Sequence, residues 1–499
     1  MKLHEFLTPL EAIDAGGDLD VEITSVTRDS REAGGSTMFV AIAGGKVDGH
    51  DLTAGLQTAA VVVERDVVAP GVKAWVRVAD TRRALAFAAA AVTGWPSRAI
   101  PIVGVTGTNG KTTITTLLHQ AAGARGVITG RIGTTGVEVG NRPIPSSLTT
   151  PEAPLLHRWF REMADAGAEL VAMEVSSIGI VQRRVDAIGF HVAVFSNLTH
   201  DHLDFHGTME AYADAKAALF RNHLRPVGGL PRALLCADDP AWRRMDPPQD
   251  RWLYGFDSNA DVRIERVAWT ASGMIVDVAH PLGRHQLRSP LVGRHNAQNL
   301  VAAFAAGLLA GQPADRLAEG LAFATGAPGR LEVVPDLTRP EGERRWVVVD
   351  YAHSPDALST VIASLRASCQ GQLIVLFGCG GDRDRAKRPE MGRAALAADR
   401  VVITSDNPRS EDPGEILHDI LQGVPSEAVR SGRVQVIEDR RAAIRAAVGA
   451  AQPGDVVLLA GKGHEDYQEI GGIKHPFDDR LEAREALAGG RASTSEVQG

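Results

Sequence analysis

The chain has 499 residues, 44% of them hydrophobic and 23% charged, and a formal net charge of -8. This length exceeds what one hydrophobic core supports, so we expect several domains, and the negative charge disfavours non-specific binding to nucleic acid or anionic lipid. With three scattered cysteines, no apolar leader and no apolar run of membrane length, we expect a cytoplasmic protein without disulfides or membrane spans.

Short apolar runs of strand length alternate with helical segments along the chain. The runs TMFVAIAG, AAVVVERD and KAWVRVAD indicate a small α/β unit, and TGWPSRAIP is typical of a linker. A second series begins at IPIVGVTG, and a third begins at RRWVVVDYAHSPDAL and includes QLIVLFGCGG and DVVLLAGKGHED. The pattern predicts three α/β domains whose sites lie at the carboxyl ends of the strands.

The segment GTNGKTT, residues 107–113, follows the strand IPIVGVT and precedes a helical stretch. A glycine-rich turn at a helix N-terminus directs backbone amides toward an anion, and the helix dipole adds favourable potential. Lys111 would reach the outer phosphates and Thr112 would ligate Mg²⁺. Val105 replaces the first glycine of the P-loop pattern. The segment predicts a nucleotide site; a structural glycine turn is the alternative.

The segment THDHLDFHGT, residues 199–208, concentrates potential metal ligands after another predicted strand. His200, His202, Asp204 and His206 nearly match the run that holds dinuclear zinc in hydrolases, except that Phe205 separates the last two ligands. The phosphate loop favours magnesium and phosphoryl transfer instead, because a zinc hydrolase has no use for ATP. In that case His202 serves the metal, while His200 and His206 are mainly structural.

Two further residues fit a magnesium site. Glu174 ends the apolar run LVAMEV, where a second ligand is expected. Lys216, in MEAYADAKAALF, shares a helix face with Tyr212 and Phe220. Periodicity alone favours an apolar stem with a solvated ammonium. Beside metal ions, however, a carbamate formed from CO₂ would suit the site better than an ammonium.

These motifs, together with MEVSS and DYAHSPDAL, resemble the Mur ligases, which add amino acids to the peptidoglycan precursor at the expense of ATP. The resemblance is strongest to the MurE branch, which extends UDP-N-acetylmuramoyl-L-alanyl-D-glutamate, and within the family Val105 is normal. It implies an α/β protein with a UDP-sugar-binding domain (1–96), a central P-loop ATPase domain (97–332) and a C-terminal Rossmann-like domain (333–499). It also implies a monomer that uses ATP and two Mg²⁺ ions.

The resemblance implies roles for residues throughout the chain. The nucleotide set would be Gly107, Thr108, Asn109, Gly110, Lys111, Thr112, Thr113, Asn296, Asn299, Arg330 and Asp350. The metal set would be Thr112, Glu174, His202 and a carbamate on Lys216, and Lys111, Glu174, His202 and Lys216 would be catalytic. The UDP and dipeptide set would be Arg28, Ser30, Gly45, Lys46, Val47, Leu148, Thr149, Thr150, Ser176, Gln182 and Arg184. Ile178 and Leu148 depart from the histidine and asparagine of many relatives.

The segment SDNPRSEDP, residues 405–413, bears on the amino acid that is added. Taken alone it is typical of a turn that starts a helix, with Asp406 or Asn407 as the cap. The resemblance instead makes it the D-N-P-R motif of diaminopimelate-adding ligases, in which Arg409 would bind the distal carboxylate of meso-2,6-diaminopimelate. The amino-acid set would be Arg383, Asp406, Asn407, Pro408, Arg409, Gly461 and Glu465.

Other functions remain open from the residues. A ligase of the same branch could add L-lysine, and a folylpolyglutamate synthase-like ligase would share the ATP machinery. A P-loop switch or motor is a different class, but the chain lacks the N-K-x-D guanine motif.

Overall fold

The computed structural model describes residues 1–45, 47–67, 69–224, 232–270, 273–340, 343–367 and 369–489. The chain divides into two compact units. The first unit comprises Met1–Arg263, His280–Leu282 and Val301–Gly320, and the second comprises Ile264–Ala279, Gly283–Leu300 and Leu321–Gly499. No described helix is both long enough and apolar enough to span a bilayer.

The N-terminal part of the first unit is a five-stranded sheet. Its elements are α1 (Leu7–Leu10), β1 (Asp14–Gly17), β2 (Ser25–Thr27), β3 (Thr37–Val40), β4 (Ala60–Val63), β5 (Ala74–Arg77) and α2 (Thr81–Val92). The strand order is β1-β5-β4-β3-β2, and β1 is the antiparallel member. Val61 and Val63 of β4 point to one core while Val62 and Ala60 point to another, because successive side chains of a strand alternate between faces.

The rest of the first unit is built on a second, larger sheet. Its elements are β6 (Ile102–Thr106), α3 (Lys111–Ala122), β7 (Thr129–Gly133), β8 (Gly136–Val139), β9 (Arg142–Ile144), α4 (Ala153–Asp165), β10 (Leu170–Glu174), α5 (Ser177–Val181), β11 (Val192–Phe195), α6 (Leu203–His206), α7 (Met209–Asn222), β12 (Ala233–Cys236) and β13 (Arg251–Gly255). These strands run in the order β13-β12-β11-β6-β10-β7-β8-β9, with β6 and its two neighbours parallel. The segments after β6, β10 and β11 therefore leave the same edge of the sheet.

The next elements in the chain are three consecutive strands and two helices. They are β14 (Val262–Thr270), β15 (Gly273–His280), β16 (Gly283–Ser289), α8 (Arg294–Leu309) and α9 (Ala314–Phe323). The strands lie side by side in the order β14-β15-β16.

The C-terminal part of the second unit is a six-stranded sheet and a hairpin. Its elements are β17 (Glu332–Val334), β18 (Trp346–Asp350), α10 (Pro355–Arg366), β19 (Leu373–Phe377), α11 (Lys387–Ala395), β20 (Arg400–Ile403), α12 (Pro413–Leu421), α13 (Ser426–Arg430), β21 (Val434–Val436), α14 (Arg440–Ala450), β22 (Val456–Ala460), β23 (Tyr467–Ile470), β24 (Ile473–Pro476) and α15 (Asp479–Gly489). The sheet order is β17-β18-β22-β19-β20-β21, and only β17 is antiparallel among these described strands.

Strand β19 shows why this sheet is covered on both faces. Val375 and Phe377 belong to the core that α10, α11 and α12 cover, whereas Ile374 and Leu376 belong to the core that α14 and α15 cover. All five residues of the strand are buried. A parallel strand with a continuous apolar sequence requires helices on both sides, which is the Rossmann-like arrangement expected for this region.

The predicted α/β class is confirmed, and the strands expected from the apolar runs are present. The boundaries at residues 96 and 332 stay a prediction. Short 3-10 helices at Leu3–Phe6, Gly49–Gly55, Pro96–Arg98, Ala124–Gly126 and Pro240–Met245 complete the described secondary structure.

Candidate active site

The phosphate loop has a backbone that requires glycine at two positions. Gly107 has φ 148°, and a Cβ atom there would lie 1.9 Å from the Ser196 hydroxyl oxygen. Gly110 has φ 88° and precedes the first residue of α3. Only glycine adopts such angles without strain and leaves room for the close approach. The loop therefore presents backbone amides at a helix N-terminus, the arrangement that binds phosphate.

Two lysines converge on one carbonyl oxygen of this loop. Lys111 Nζ donates to the carbonyl oxygens of Gly107 and Thr108 at 2.9 and 2.8 Å. Lys216 Nζ donates to the same Gly107 oxygen at 2.9 Å. Lys216 comes from α7, 109 residues along the chain from the loop. The fold thus places both predicted catalytic lysines beside the phosphate loop.

Lys216 is buried, so the solvated ammonium that periodicity alone favours is wrong. Its side chain is only 1% exposed, and its Nζ lies 4.3 Å from the centroid of the Tyr212 ring. Burial lowers the pKa of Lys216 well below its ordinary value, and the nearby Lys111 charge lowers it further. A neutral amine is the form that reacts with CO₂.

Glu174 is a fully buried carboxylate at the end of β10. It accepts hydrogen bonds from the Thr112 hydroxyl at 3.0 Å, from the Thr134 amide at 2.8 Å and from the Thr134 hydroxyl at 3.2 Å. Within the described residues no lysine, arginine or histidine forms an ion pair with it. A buried carboxylate surrounded by neutral donors, beside a hydroxyl at a phosphate loop, fits a hard cation such as Mg²⁺. Thr134 was not anticipated from the sequence.

The histidine-rich segment is not assembled as a zinc cluster. His200 and Asp204 are exposed, and His202 precedes α6 in a left-handed conformation with φ 53°. His202 Nε2 lies 3.6 Å from an Asp201 carboxylate oxygen, and its ring meets the Tyr212 ring edge-on at 6.1 Å. The described part of the chain contains no group of three or more His, Cys, Asp or Glu side chains that could hold a metal ion.

His206 has a structural contact in this segment. Its Nε2 lies 2.9 Å from the Ser177 hydroxyl, and its ring packs against Tyr212 at 5.1 Å. Burial, followed by the charges of His202 and Lys216, lowers the pKa of His206. His206 therefore ties α6 to α5. The magnesium role of His202 stays a prediction.

Residues predicted to hold the dipeptide lie beside Glu174. The Thr150 hydroxyl donates to the Glu174 carbonyl oxygen at 2.9 Å and accepts the Ser176 amide at 2.9 Å. The Thr149 hydroxyl lies 3.0 Å from that of Thr134, which also contacts the Glu174 carboxylate. One hydroxyl thus links the predicted metal ligand to the predicted substrate site.

The guanidinium of Arg184 also contacts the predicted dipeptide residues. It donates to the Thr150 carbonyl oxygen at 2.7 Å and to Gln182 Oε1 at 2.5 Å. Glu152 pairs with Arg184 at 3.0 Å and with Arg28 at 3.5 Å, which joins the predicted dipeptide and UDP sets through one carboxylate. Burial lowers the pKa of Arg184. Glu152 was not anticipated either.

The remaining predicted substrate residues of the first unit are at least partly exposed. Ser30 is half-buried, and Gly45, Val47 and Leu148 are exposed. Ile178, which stands where many relatives have histidine, is half-buried. Lys46 lies outside the described residues.

Among the predicted nucleotide residues of the second unit, Asn296, Asn299 and Asp350 are buried and Arg330 is half-buried. Asn296 donates to the Val292 carbonyl oxygen at 2.9 Å and accepts from Asn299 at 3.2 Å. Asp350, at the end of β18, accepts the amides of Leu331 and Ala352, each at 2.8 Å. Burial raises the pKa of Asp350.

Arg330 belongs to the same group of residues. Its guanidinium lies 5.0 Å from the centroid of the Tyr351 ring, and Tyr351 directly follows Asp350 in the chain. The positive charge of Arg330 lowers the pKa of Asp350 and so partly offsets the increase that burial causes.

The D-N-P-R turn follows β20 and is not the start of a helix. Asp412, not Asp406 or Asn407, caps α12 by accepting the Glu415 amide. The helix-cap interpretation of residues 406 and 407 is therefore wrong. Asn407 is instead buried, with its amide nitrogen 2.8 Å from a Glu465 carboxylate oxygen.

Arg409 is held by its backbone on both sides. Its amide donates to the Glu469 carbonyl oxygen at 3.0 Å, and its carbonyl oxygen accepts the Gly471 amide at 2.7 Å. With φ 54° its backbone is left-handed, and Nη1 donates to the Gly381 carbonyl oxygen at 2.7 Å. The β23–β24 hairpin therefore fixes the Arg409 backbone, while the guanidinium is held by the Gly381 carbonyl oxygen and lies with Nε 3.7 Å from Glu469 Oε2.

Pro408 and Gly461 are buried at this edge, and Arg383 is exposed on the loop after β19. A Cβ atom at Gly461 would lie 3.4 Å from Asp406 Oδ2. The segments after β22, β19 and β20 leave the same edge of the parallel sheet, which is why residues 383, 406–409, 461 and 465 come together.

Comparison with known proteins agrees with this geometry. Residues 105–307 match the Mur ligase middle domain, and residues 329–463 match the family described as Mur ligase, glutamate ligase domain. A "UDP-N-acetylmuramoyl-L-alanyl-D-glutamate--2,6-diaminopimelate ligase" of Geobacter metallireducens is 41% identical over 519 residues, covering 100% of both chains. The chain belongs to the Mur ligase family. Its phosphate loop and Glu174 lie within the middle domain of a Mur ligase, and its D-N-P-R turn lies within the glutamate ligase domain.

Solved structures of Mur ligases share the three-domain fold. A structure of a "UDP-N-acetylmuramoyl-L-alanyl-D-glutamate--2, 6-diaminopimelate ligase" has a TM-score of 0.74 and 33% identity, and covers 98% of this chain and 99% of its own. A Mycobacterium tuberculosis folylpolyglutamate synthase complexed with ADP and AMPPCP has a TM-score of 0.58 and 20% identity, and covers 76% of this chain and 92% of its own. At that identity the second likeness concerns the fold alone.

Proposed function

We propose that this Mur ligase attaches meso-2,6-diaminopimelate to the D-glutamate γ-carboxylate of UDP-N-acetylmuramoyl-L-alanyl-D-glutamate, forming ADP. The observation that carries the choice of amino acid is the D-N-P-R turn. Arg409 makes three hydrogen bonds to backbone groups there: two through its own amide and carbonyl oxygen, and one from Nη1 to the Gly381 carbonyl oxygen. A guanidinium held in place recognises a carboxylate through two parallel hydrogen bonds. Relatives named for this reaction match the chain over its whole length.

The reaction requires activation of a carboxylate, because its oxygen is a poor leaving group. The γ-carboxylate attacks the γ-phosphorus of ATP, which breaks the bond to the β-phosphate and gives an acyl phosphate and ADP. The free amine of diaminopimelate then attacks the acyl carbon, phosphate leaves and the amine loses a proton. Positioning and charge neutralisation supply most of the catalysis in such a transfer.

The chain's own residues can perform these tasks. The amides of loop 107–110 and the N-terminus of α3 would bind the phosphates. Lys111, which now donates to the carbonyl oxygens of Gly107 and Thr108, would turn to the outer phosphates. Thr149, Thr150 and Arg184, which hydrogen bonds link to Glu174 directly or through one intervening residue, would orient the D-glutamyl carboxylate.

Thr112 and Glu174 would hold one Mg²⁺ ion, and His202 with a carbamate on Lys216 would serve a second. Bound magnesium would neutralise the phosphate charge during transfer. The buried position of Lys216 and the low pKa of its amine support carbamate formation, in which the amine nitrogen bonds to CO₂ carbon and releases a proton. We also propose that the enzyme acts as a monomer in the cytoplasm.

The alternatives differ in the substrates that release ADP. An L-lysine-adding ligase would leave Arg409 without a substrate carboxylate, with only Glu469 at 3.7 Å as its anionic partner, and a folylpolyglutamate synthase would not need the residues of the N-terminal sheet. ADP release from ATP is therefore measured with the UDP-dipeptide and either meso-diaminopimelate or L-lysine, and with a folate and L-glutamate. We expect ADP release with the UDP-dipeptide and meso-diaminopimelate. Release only with the folate pair would overturn the proposal.

A further inference from the structure

A fully buried lysine lies directly behind the predicted amino-acid residues of the second unit. Lys462 belongs to the turn that follows β22, and its side chain is 0% exposed. Burying an ammonium is costly unless oxygen atoms surround it. The oxygen atoms around the Lys462 ammonium therefore indicate its role.

The ammonium of Lys462 contacts three residues of the proposed amino-acid site. Its Nζ lies 3.1 Å from Asn407 Oδ1, 3.4 Å from Glu465 Oε2 and 3.5 Å from Asp406 Oδ1. Two of these residues follow β20, whereas Glu465 belongs to the same loop as Lys462. Among the described residues, Lys462 is the only cation in ion-pair contact with Asp406 or Glu465.

Lys462 also fixes the orientation of the Asn407 amide. Asn407 Oδ1 accepts from Lys462 and from the Glu469 backbone amide at 3.0 Å, so its Nδ2 must point the other way. There Nδ2 donates to Glu465 Oε2 at 2.8 Å. The lysine thus organises the amide and both carboxylates at once.

Solvent reaches the carboxylates but not the lysine. The side chain of Asp406 is 10% exposed and that of Glu465 is 20% exposed, against 0% for Lys462. An amino acid can touch the two carboxylates, while Lys462 acts on it only through them. Two carboxylates alone would carry two negative charges and attract a simple cation; with Lys462 one negative charge remains.

We propose that Lys462 is a positioning residue that sets the charge of this site. Lys462, Asp406 and Glu465 together leave one net negative charge for a substrate ammonium. Arg409, whose Nε lies 3.7 Å from Glu469 Oε2, is available to a substrate carboxylate, so the site accepts a side-chain end that carries both groups. A side chain that ends in an ammonium alone, as in L-lysine, fits it less well. This inference rests on the proposed function and adds a second determinant of substrate choice to Arg409.

The test compares substrate preference in three variants. Lys462→Met removes the charge at similar length, Lys462→Arg keeps the charge, and Lys474→Met is the matched control. Lys474 is an exposed lysine of β24 whose Nζ lies 3.9 Å from the Tyr467 ring centroid. The readouts are kcat/KM for meso-diaminopimelate and for L-lysine, with KM for ATP.

For Lys462→Met we expect the preference for meso-diaminopimelate over L-lysine to fall by about tenfold to a hundredfold, as for loss of one charged hydrogen-bond partner. The KM for diaminopimelate should rise while the KM for ATP stays within about twofold, and Lys462→Arg should retain most of the preference. Lys474→Met should behave like the wild type. If Lys462→Met does not fold by circular dichroism, Lys462→Gln, an uncharged donor toward Asn407, carries the same comparison.

The two proposals fail in different ways. If wild-type protein releases no ADP with meso-diaminopimelate, the proposed function is wrong. If the wild type uses diaminopimelate but removal of the Lys462 charge lowers activity with both amino acids equally, or changes neither, Lys462 is merely structural and the inference is overturned.

Discussion

Lys216 Nζ lies 2.9 Å from the carbonyl oxygen of Gly107, although the two residues are 109 positions apart in the chain. The contact joins α7 to the phosphate loop and holds a buried amine next to Lys111. Two ammonium groups at one carbonyl oxygen repel each other, and that repulsion contributes to the low pKa of Lys216. A carbamate at Lys216 would replace this repulsion by attraction.

Replacing Lys216 tests whether the carbamate contributes to activity. Lys216→Ala should lose most ligase activity, because it removes an oxygen anion beside the metal site. A short-chain carboxylate such as propionate should restore part of the activity by filling the gap with an equivalent charge. ADP release with and without propionate measures this, and mass spectrometry of active protein should show the added CO₂. Fully active protein with an unmodified amine would refute the assignment.

His202 and His200 form a matched pair, since both are exposed histidines of the same loop. His202→Ala should reduce ADP formation strongly, whereas His200→Ala should reduce it little. After chelation, Mg²⁺ or Mn²⁺ should restore the activity of the wild type. Equal losses in the two variants, or activity with zinc in the absence of ATP, would contradict the predicted magnesium role.

Arg409→Ala should raise the KM for meso-diaminopimelate steeply and leave the KM for ATP unchanged. Loss of the partner of a desolvated charge costs about 2 to 5 kcal/mol, or roughly thirtyfold to several-thousandfold. Arg385→Ala is the control, because Arg385 is an exposed arginine of a neighbouring loop that pairs with Glu411. Steady-state kinetics with each substrate varied in turn gives the KM for diaminopimelate and the KM for ATP separately. A similar KM for diaminopimelate in both variants would remove Arg409 from the site.

Glu138 allows a test of how the free energy of unfolding depends on pH. Its carboxylate contacts His119 Nε2 at 3.1 Å and the Arg131 guanidinium, and these partners, His119 first, lower its pKa from 4.5 to about 2. Because the folded state holds this proton less tightly, the stabilisation is complete above pH 4.5 and is lost as the pH falls toward 2.

Glu138→Gln should therefore lower the free energy of unfolding by about 1 to 3 kcal/mol at neutral pH. Denaturant unfolding at several pH values should show the difference from wild type shrinking below pH 4.5. Glu162→Gln, which removes an exposed pair with Arg142, should have little effect. A difference for Glu138→Gln that stays constant down to pH 2 would contradict the assigned pKa.

The parts of the site that follow local rules could be predicted from the sequence. Glycines at 107 and 110, a preceding apolar strand and a following helix are adjacent in the chain, so their geometry is largely local. Apolar runs such as LIVLF predict buried strands because both faces of a parallel sheet are covered. The position of Lys216 on the face of α7 that carries Tyr212 follows from helical periodicity.

Contacts between distant segments could not be predicted in this way. Thr134 belongs to the turn between β7 and β8, and nothing in its own segment indicates that it reaches Glu174. Lys462 stands in a glycine-rich turn that gives no sign of its burial against Asp406 and Asn407. Helical periodicity predicted a solvated ammonium at Lys216, because the pattern of one helix does not show which other segments cover its faces.

One competition experiment tests the central claim most directly. The enzyme is given ATP, Mg²⁺, UDP-N-acetylmuramoyl-L-alanyl-D-glutamate and equal concentrations of meso-diaminopimelate and L-lysine, and mass spectrometry identifies the UDP-linked product. The account predicts a product that contains diaminopimelate, in excess over the lysine product by at least about thirtyfold. A lysine product in equal or greater amount would contradict it.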